Sequence, residues 1–145
     1  MKFRNNLNTT METYTMKKQF KLAMVQMLVE GGLKDANLSH AEDLIGEAAR
    51  EGAQVVLLPE CLDLGWTHPA SQIDAETIPG GMPYKKLSQS ALKHGVYICA
   101  GLTEKSGNKI YNSAVFIDNK GELRLLHRKI NELDIGHSYY ALGDR

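Results

Sequence analysis

The chain is short of cysteine, of net charge and of long apolar runs, and each shortage removes a class of protein. Only Cys61 and Cys99 occur in 145 residues. Two cysteines cannot build a disulfide framework, and without a secretory context they read as reduced thiols of a cytoplasmic protein. The 17 basic residues balance 17 acidic ones, so neither nucleic acid nor an anionic membrane is an expected partner. No apolar stretch reaches the roughly 18 residues of a membrane-spanning helix. His40, His68, His94, His127 and His137 are scattered without zinc-type spacing, and neither G-x-G-x-x-G nor G-x-x-x-x-G-K-[ST] occurs. No metal centre and no phosphate loop is therefore expected. Internal repeats and low-complexity tracts are absent too.

What is present has the pattern of one α/β domain. Residues 1–19 are polar and rich in Asn, Thr and Lys, without the apolar core of a secretory signal. Glu12 and the scarcity of arginine count against a transit peptide, so the segment reads as a disordered tail or an expression-derived extension. The domain proper is read over 20–145. Phe20 to Met27 is a strand-length apolar run ended by Gly31-Gly32. Leu38, Ala41, Leu44, Ile45, Ala48 and Ala49 then fall on one helical face, with Glu42, Asp43, Glu47 and Arg50 on the other. Asp35 is the expected N-cap and Gly52 the expected C-terminal stop. Gln54 to Leu58, β-branched and apolar on both faces, predicts a buried parallel strand and completes a right-handed crossover.

Cys61 to Pro83 is a Gly- and Pro-rich loop of a length more often functional than idle. A second helix is predicted over Tyr84 to Lys93, closed by His94-Gly95. Three strands follow, over Val96 to Thr103, Ile110 to Asp118 and Glu122 to Arg128. Turns at Gly107-Asn108 and Asn119-Lys120-Gly121 make these two antiparallel hairpins.

Two positions carry the candidate chemistry. Glu60 ends the apolar strand Val55-Val56-Leu57-Leu58-Pro59, and Lys129 ends the later run Leu125-Leu126-His127-Arg128; α/β sheets gather ligands at such a rim. Glu60 alone is also compatible with a strand cap or a surface ion pair. Partial desolvation would raise its pKa and suit it to general-base work near neutral pH. Lys129 alone is a solvated cation; beside Glu60 it can hold a developing oxyanion. Arg128 alternates to the opposite face and is read as structural. Cys61 points away from its neighbour Glu60, which makes it a poor nucleophile, since a thiol needs its base within about 3 Å. Cys99, inside Val96-Tyr97-Ile98-Cys99-Ala100, is read as a small core residue.

From Phe20 to Arg145 the sequence resembles the N-terminal portion of the nitrilase superfamily, the carbon–nitrogen hydrolases. The matching pieces are KLAMVQM, ANLSHAEDLIGEAAREGAQVVLLPE, GLTEKSGNKIYNSAVFIDNKGEL and HRKINELDIG. The resemblance implies half of an αββα sandwich, a mixed sheet with two covering helices. It also implies a Glu–Lys–Cys triad, without cofactor or metal, that hydrolyses a non-peptide C–N bond of a small amide or nitrile through an acyl-enzyme. Glu60 matches the general base and Lys129 the oxyanion-stabilising lysine. Glu132 is the nominee for the second glutamate that many members carry, and Tyr111 and Asn112 match a position that supports the site. Trp66, His68 and Tyr139 are candidates to line a substrate pocket. Family members carry the nucleophilic cysteine on a later strand, which this sequence does not contain. The chain alone is therefore expected to be inactive. It would act with a complementary C-terminal segment, or stand as a truncated remnant or interaction module. Half a sandwich leaves one apolar sheet face bare, which predicts a homo-oligomer or assembly with that segment.

Overall fold

The apolar segments pair into one mixed, five-stranded sheet in the order β1-β2-β3-β4-β5. A computed structural model describes residues 19–144, so the tail read over 1–19 lies, apart from Gln19, outside the described residues. In chain order the elements are β1 (Leu22–Met24), α1 (Lys34–Arg50), β2 (Val55–Leu57), α2 (Ser71–Asp74), α3 (Met82–His94), β3 (Tyr97–Ser106), β4 (Lys109–Ile117) and β5 (Leu123–Arg128), followed by a 3-10 turn over Asp134–Ser138. β1, β2 and β3 are parallel because α1 and α3 carry the chain back between them. β3, β4 and β5 are antiparallel, turned by Gly107 and Gly121 at φ 61° and 80°, a backbone region open to glycine at no steric cost. No helix among the described residues is long and apolar enough to cross a membrane.

Helix ends follow local chemistry with one exception. Gly52, at φ 82°, stops α1 by donating its N–H to the Ala49 carbonyl at 2.9 Å. Gly95, at φ 66°, does the same for α3, as a left-handed cap should. Asp35 is not the N-cap: α1 starts after Leu33 with no side-chain cap, and Asp35 lies in its first turn, where its charge meets the positive helix end. The entry to α1 is pinned instead by Asn37. Its Oδ1 accepts the Glu30 N–H at 2.9 Å, and its Nδ2 donates to the carbonyls of Glu30 at 2.8 Å and Asp63 at 3.0 Å. α3 starts two residues earlier than its periodicity suggests, because the Glu76 carboxylate accepts the Met82 N–H at 2.8 Å.

Both long helices lie on one face of the sheet. Leu38, Ala41 and Ile45 of α1 and Leu87 and Ala91 of α3 pack with Val56, Ile98, Ala100, Leu102, Val115 and Ile117. Each such large side chain contributes about 1.5–3 kcal/mol on burial. Among the described residues the opposite face is bare. Met24, Leu57, Cys99, Phe116 and Leu125 are register partners in one row across all five strands, and Met24 is 76% exposed, Leu125 54% and Leu57 38%. The strand predicted over Gln54 to Leu58 is thus apolar on both faces yet covered on one. The two long helices described, α1 before it and α3 after it, both fall on the same side.

Candidate active site

The site forms where the ends of β2 and β5 converge on β4. After β2 the chain keeps bonding to β3: Leu58 N–H donates to the Cys99 carbonyl at 2.8 Å, Gly101 N–H to the Pro59 carbonyl at 3.0 Å, and Leu62 N–H to the Gly101 carbonyl at 3.0 Å. Glu60 is held between these bonds. Gly101 makes the approach possible, since a Cβ there would stand 2.5 Å from the Glu60 Cα. Lys129 follows β5 and is fixed through its backbone, donating to the Asn112 carbonyl at 2.8 Å and accepting from Gly143 at 2.9 Å.

The side chains then meet. Lys129 Nζ donates to Glu60 Oε1 at 2.8 Å and lies 3.2 Å from Glu132 Oε1. Asn112 Nδ2 donates to Glu60 Oε1 at 2.6 Å and to Glu132 Oε2 at 3.4 Å. Trp66 Nε1 donates to Glu132 Oε1 at 3.4 Å, and its ring centroid is 5.8 Å from Lys129 Nζ. The Glu132 side chain is 1% exposed, whereas that of Glu60 is 50% exposed. One carboxylate is therefore a buried brace and the other faces outward. Beside them a cavity of about 270 Å³ is lined by Leu57, Cys99, Ala114 and His127 together with Glu60 and Lys129.

The electrostatics differ from the sequence expectation. Burial pushes the Glu60 carboxyl up, but the hydrogen bonds from Lys129 and Asn112 and the lysine charge outweigh it and leave its pKa lowered. Burial likewise pulls Lys129 down, and its bonds to Glu60 and Glu132 more than restore it. Both groups are therefore charged at neutral pH.

Of the other sequence candidates, Trp66 joins the cluster, and His68 and Tyr139 do not. His68 packs its ring on Gly31 and Gly32, with Nδ1 accepting the Ala70 N–H at 3.2 Å. Tyr139 offers its main-chain carbonyl to Gln72 Nε2 at 2.7 Å. Cys61 is fully buried, and burial pushes its thiol up to about 12. Cys99 is half-buried on the bare face, not in the core, because strand alternation puts it in the row with Leu57 and Phe116. Burial also raises its thiol.

Two glycines inside the matching segments were not singled out as site residues, having no turn to mark them: Gly101 and Gly136. A Cβ on Gly136 would stand 2.6 Å from Glu132 Oε1 and 2.5 Å from its Cγ. Gly136→Ala is expected to force Glu132 from its place between Lys129 and Trp66, at a cost of about 1–3 kcal/mol typical of overpacking. Urea unfolding reads the loss, and an unchanged midpoint would contradict it.

Comparisons with known proteins place the chain in a family and find its fold shared. The carbon-nitrogen hydrolase family model matches residues 21–141. An omega-amidase of Danio rerio is 40% identical over 118 residues, 81% of this chain and 42% of that protein. A nitrilase of Pyrococcus abyssi is 38% identical over 135 residues, 85% of this chain and 52% of that protein. The fold is shared with a mutant amidase from Nesterenkonia sp. AN1, solved with acrylamide joined by Michael addition at its active-site cysteine. That likeness has a TM-score of 0.79 and 18% identity, over 88% of this chain and 51% of the other. The chain thus spans about half the length of the relatives it matches. Over that span, it belongs to the carbon–nitrogen hydrolase family.

Proposed function

We propose that this chain supplies the general base and the oxyanion-stabilising cation of a cysteine-dependent hydrolase acting on small amides or nitriles. The observation that carries the reading is the meeting of Glu60 and Lys129 at 2.8 Å across 69 residues of sequence, with half of the Glu60 carboxylate side chain open to an incoming group. Amides are favoured as substrates because the relatives include omega-amidases.

The chemistry follows from the charges. An ionised Glu60 takes the proton of a cysteine thiol, and the thiolate attacks the amide carbon. The carbonyl π pair moves onto oxygen, where the Lys129 ammonium stabilises it. The C–N bond then breaks, and the departing nitrogen takes the proton from Glu60, leaving as ammonia or an amine. Water attacks the thioester, Glu60 takes its proton, and the acid leaves with the thiol restored. Glu132 keeps Lys129 aimed throughout. The attacking cysteine comes from outside these residues, since burial holds the Cys61 and Cys99 thiols protonated and no activating base is bonded to either. A polypeptide segment seated on the bare sheet face, whether continuous with these residues or carried by a partner, is its source.

The exposed row from Met24 to Leu125 also favours a second reading, a non-catalytic module that serves only as a binding surface. Native mass and ammonia release from small primary amides, measured on the protein isolated from its source, separate the two. Iodoacetamide-sensitive turnover is expected. Protein that releases no ammonia would leave only the module.

A further inference from the structure

We propose that Tyr140 is a positioning residue, whose buried hydroxyl fastens the loop between Glu60 and Trp66 to the segment that carries Glu132. Tyr140 is 3% exposed. Its hydroxyl accepts the Thr67 N–H at 3.1 Å and lies against the Cys61 thiol. Cys61 and Thr67 are the two ends of that loop, one residue past Glu60 and one past Trp66. They are also the non-glycine residues with left-handed backbone among those described, at φ 45° and 55°, a conformation that costs L-residues roughly 1–2 kcal/mol each. Such a loop stays in place only where its surroundings over-determine it.

The middle of the loop has its own holds. Leu62 and Leu64 are fully buried, and the Asp63 carboxylate accepts the Thr103 N–H at 3.0 and 3.2 Å. These contacts tie the middle of the loop to β3. The two strained ends have the Tyr140 hydroxyl in common. Tyr140 is itself anchored, its N–H donating to the Gly136 carbonyl at 2.9 Å, while Ala141 N–H donates to the Ile110 carbonyl of β4 at 2.8 Å. Gly136 is the residue whose missing Cβ leaves room for the Glu132 carboxylate. One hydroxyl therefore links Glu60 and Trp66 to the turn that holds Glu132. Its catalytic consequence rests on the hydrolase reading above; the tether itself does not.

Trp66 is the single tryptophan of the chain, so its fluorescence reports the tether without any turnover. In the full chain, Tyr140→Phe keeps the ring and removes only the hydroxyl. It is expected to shift Trp66 emission to the red and to open the indole to iodide quenching. Tyr84→Phe is the matched control, removing a hydroxyl bond to the Gly121 carbonyl at 3.3 Å away from the site, and it is expected to leave the emission unmoved. Thr67→Gly, which relieves the left-handed strain, is expected to restore the Trp66 signal when combined with Tyr140→Phe. Should Tyr140→Phe fail to fold, that double variant is read against Thr67→Gly alone, and a loop that unfolds in both overturns the tether. An emission unchanged in Tyr140→Phe, or shifted equally in Tyr84→Phe, also overturns it. Turnover that persists beside an unmoved emission would sink the tether and leave the hydrolase reading standing.

Discussion

Glu60→Gln is expected to lower kcat/KM of the assembled hydrolase on the order of 10²–10⁴-fold, the range a positioned general base supplies. Lys129→Met is expected to cost on the order of 10²–10³-fold, as when an oxyanion donor is removed. Because the two groups share one hydrogen bond at 2.8 Å, their losses should not add. The double variant is expected to fall little below the worse single one, as in other catalytic units that act together. Purely additive losses would mean that Glu60 and Lys129 serve separate purposes.

The pH profile gives the same test from another side. The Glu60 pKa is lowered, so the carboxylate that accepts the thiol proton stays ionised to lower pH than an ordinary glutamate. The acid limb of kcat/KM in the wild type is expected to lie on the acid side of the ordinary glutamate value. It should move up in Lys129→Met, where desolvation acts on Glu60 without the lysine to oppose it. The sign for stability is the one for a depressed carboxylate: the ion pair stabilises the fold at neutral pH, and that contribution is lost as pH falls through the lowered value. An acid limb that lies at the same pH in both proteins would remove Glu60 from the role of base.

The parts legible in the sequence are those governed by local period. The 3.6-residue stripe of α1, the stop at Gly52 and the glycine turns of the two hairpins are each decided by neighbours a few residues away. The pairing of Glu60 with Lys129 was suggested by two strand ends at one sheet rim and by resemblance to a family, since a 69-residue separation holds no distance information of its own. Asn112 and Glu132 were marked by that resemblance alone, and their contacts were not legible: Asn112 reaches both carboxylates from a strand whose alternation marks only in and out. Gly101 and Gly136 matter through what a methyl group would strike, which no pattern along the chain records. The direction of the Glu60 shift failed for the same reason: desolvation can be guessed from a strand end, but two donors arriving from β4 and β5 cannot. Leu57 and Cys99 were placed in a core because apolar character marks burial without saying which layer supplies it.

The largest stability effect expected lies one residue from the site. Glu104 is 2% exposed. Its two oxygens accept from Arg128 Nε at 2.9 Å and Nη2 at 2.6 Å, with Ser113 Oγ donating at 2.7 Å. The Arg128 guanidinium also stacks 4.1 Å over the Tyr111 ring. Burial pushes the Glu104 carboxyl up, and Arg128 and Ser113 override it to leave the pKa lowered. Arg128→Met would strand that carboxylate inside the protein. Breaking a buried pair from one side costs about 3–5 kcal/mol, and replacing both partners with well-packed apolar groups is often nearly neutral. Urea unfolding of Arg128→Met is expected to show a loss of this size at pH 7 that shrinks as the pH falls and Glu104 takes up a proton. Glu104→Leu combined with Arg128→Met should recover most of the loss. If Arg128→Met does not fold, Arg128→Lys keeps a charge without the two-pronged geometry and should show a smaller loss of the same sign. Arg128 is the register partner of Ser113, immediately beside the backbone bond from Lys129 to Asn112. The pair that fixes the end of β5 in the sheet therefore also steadies the backbone from which Lys129, braced by Glu132, reaches Glu60, and the double variant, although stable, is expected to show a weakened Glu60–Lys129 contact. An NMR titration of the Glu60 carboxyl group that finds its pKa still lowered to the wild-type value would refute that link.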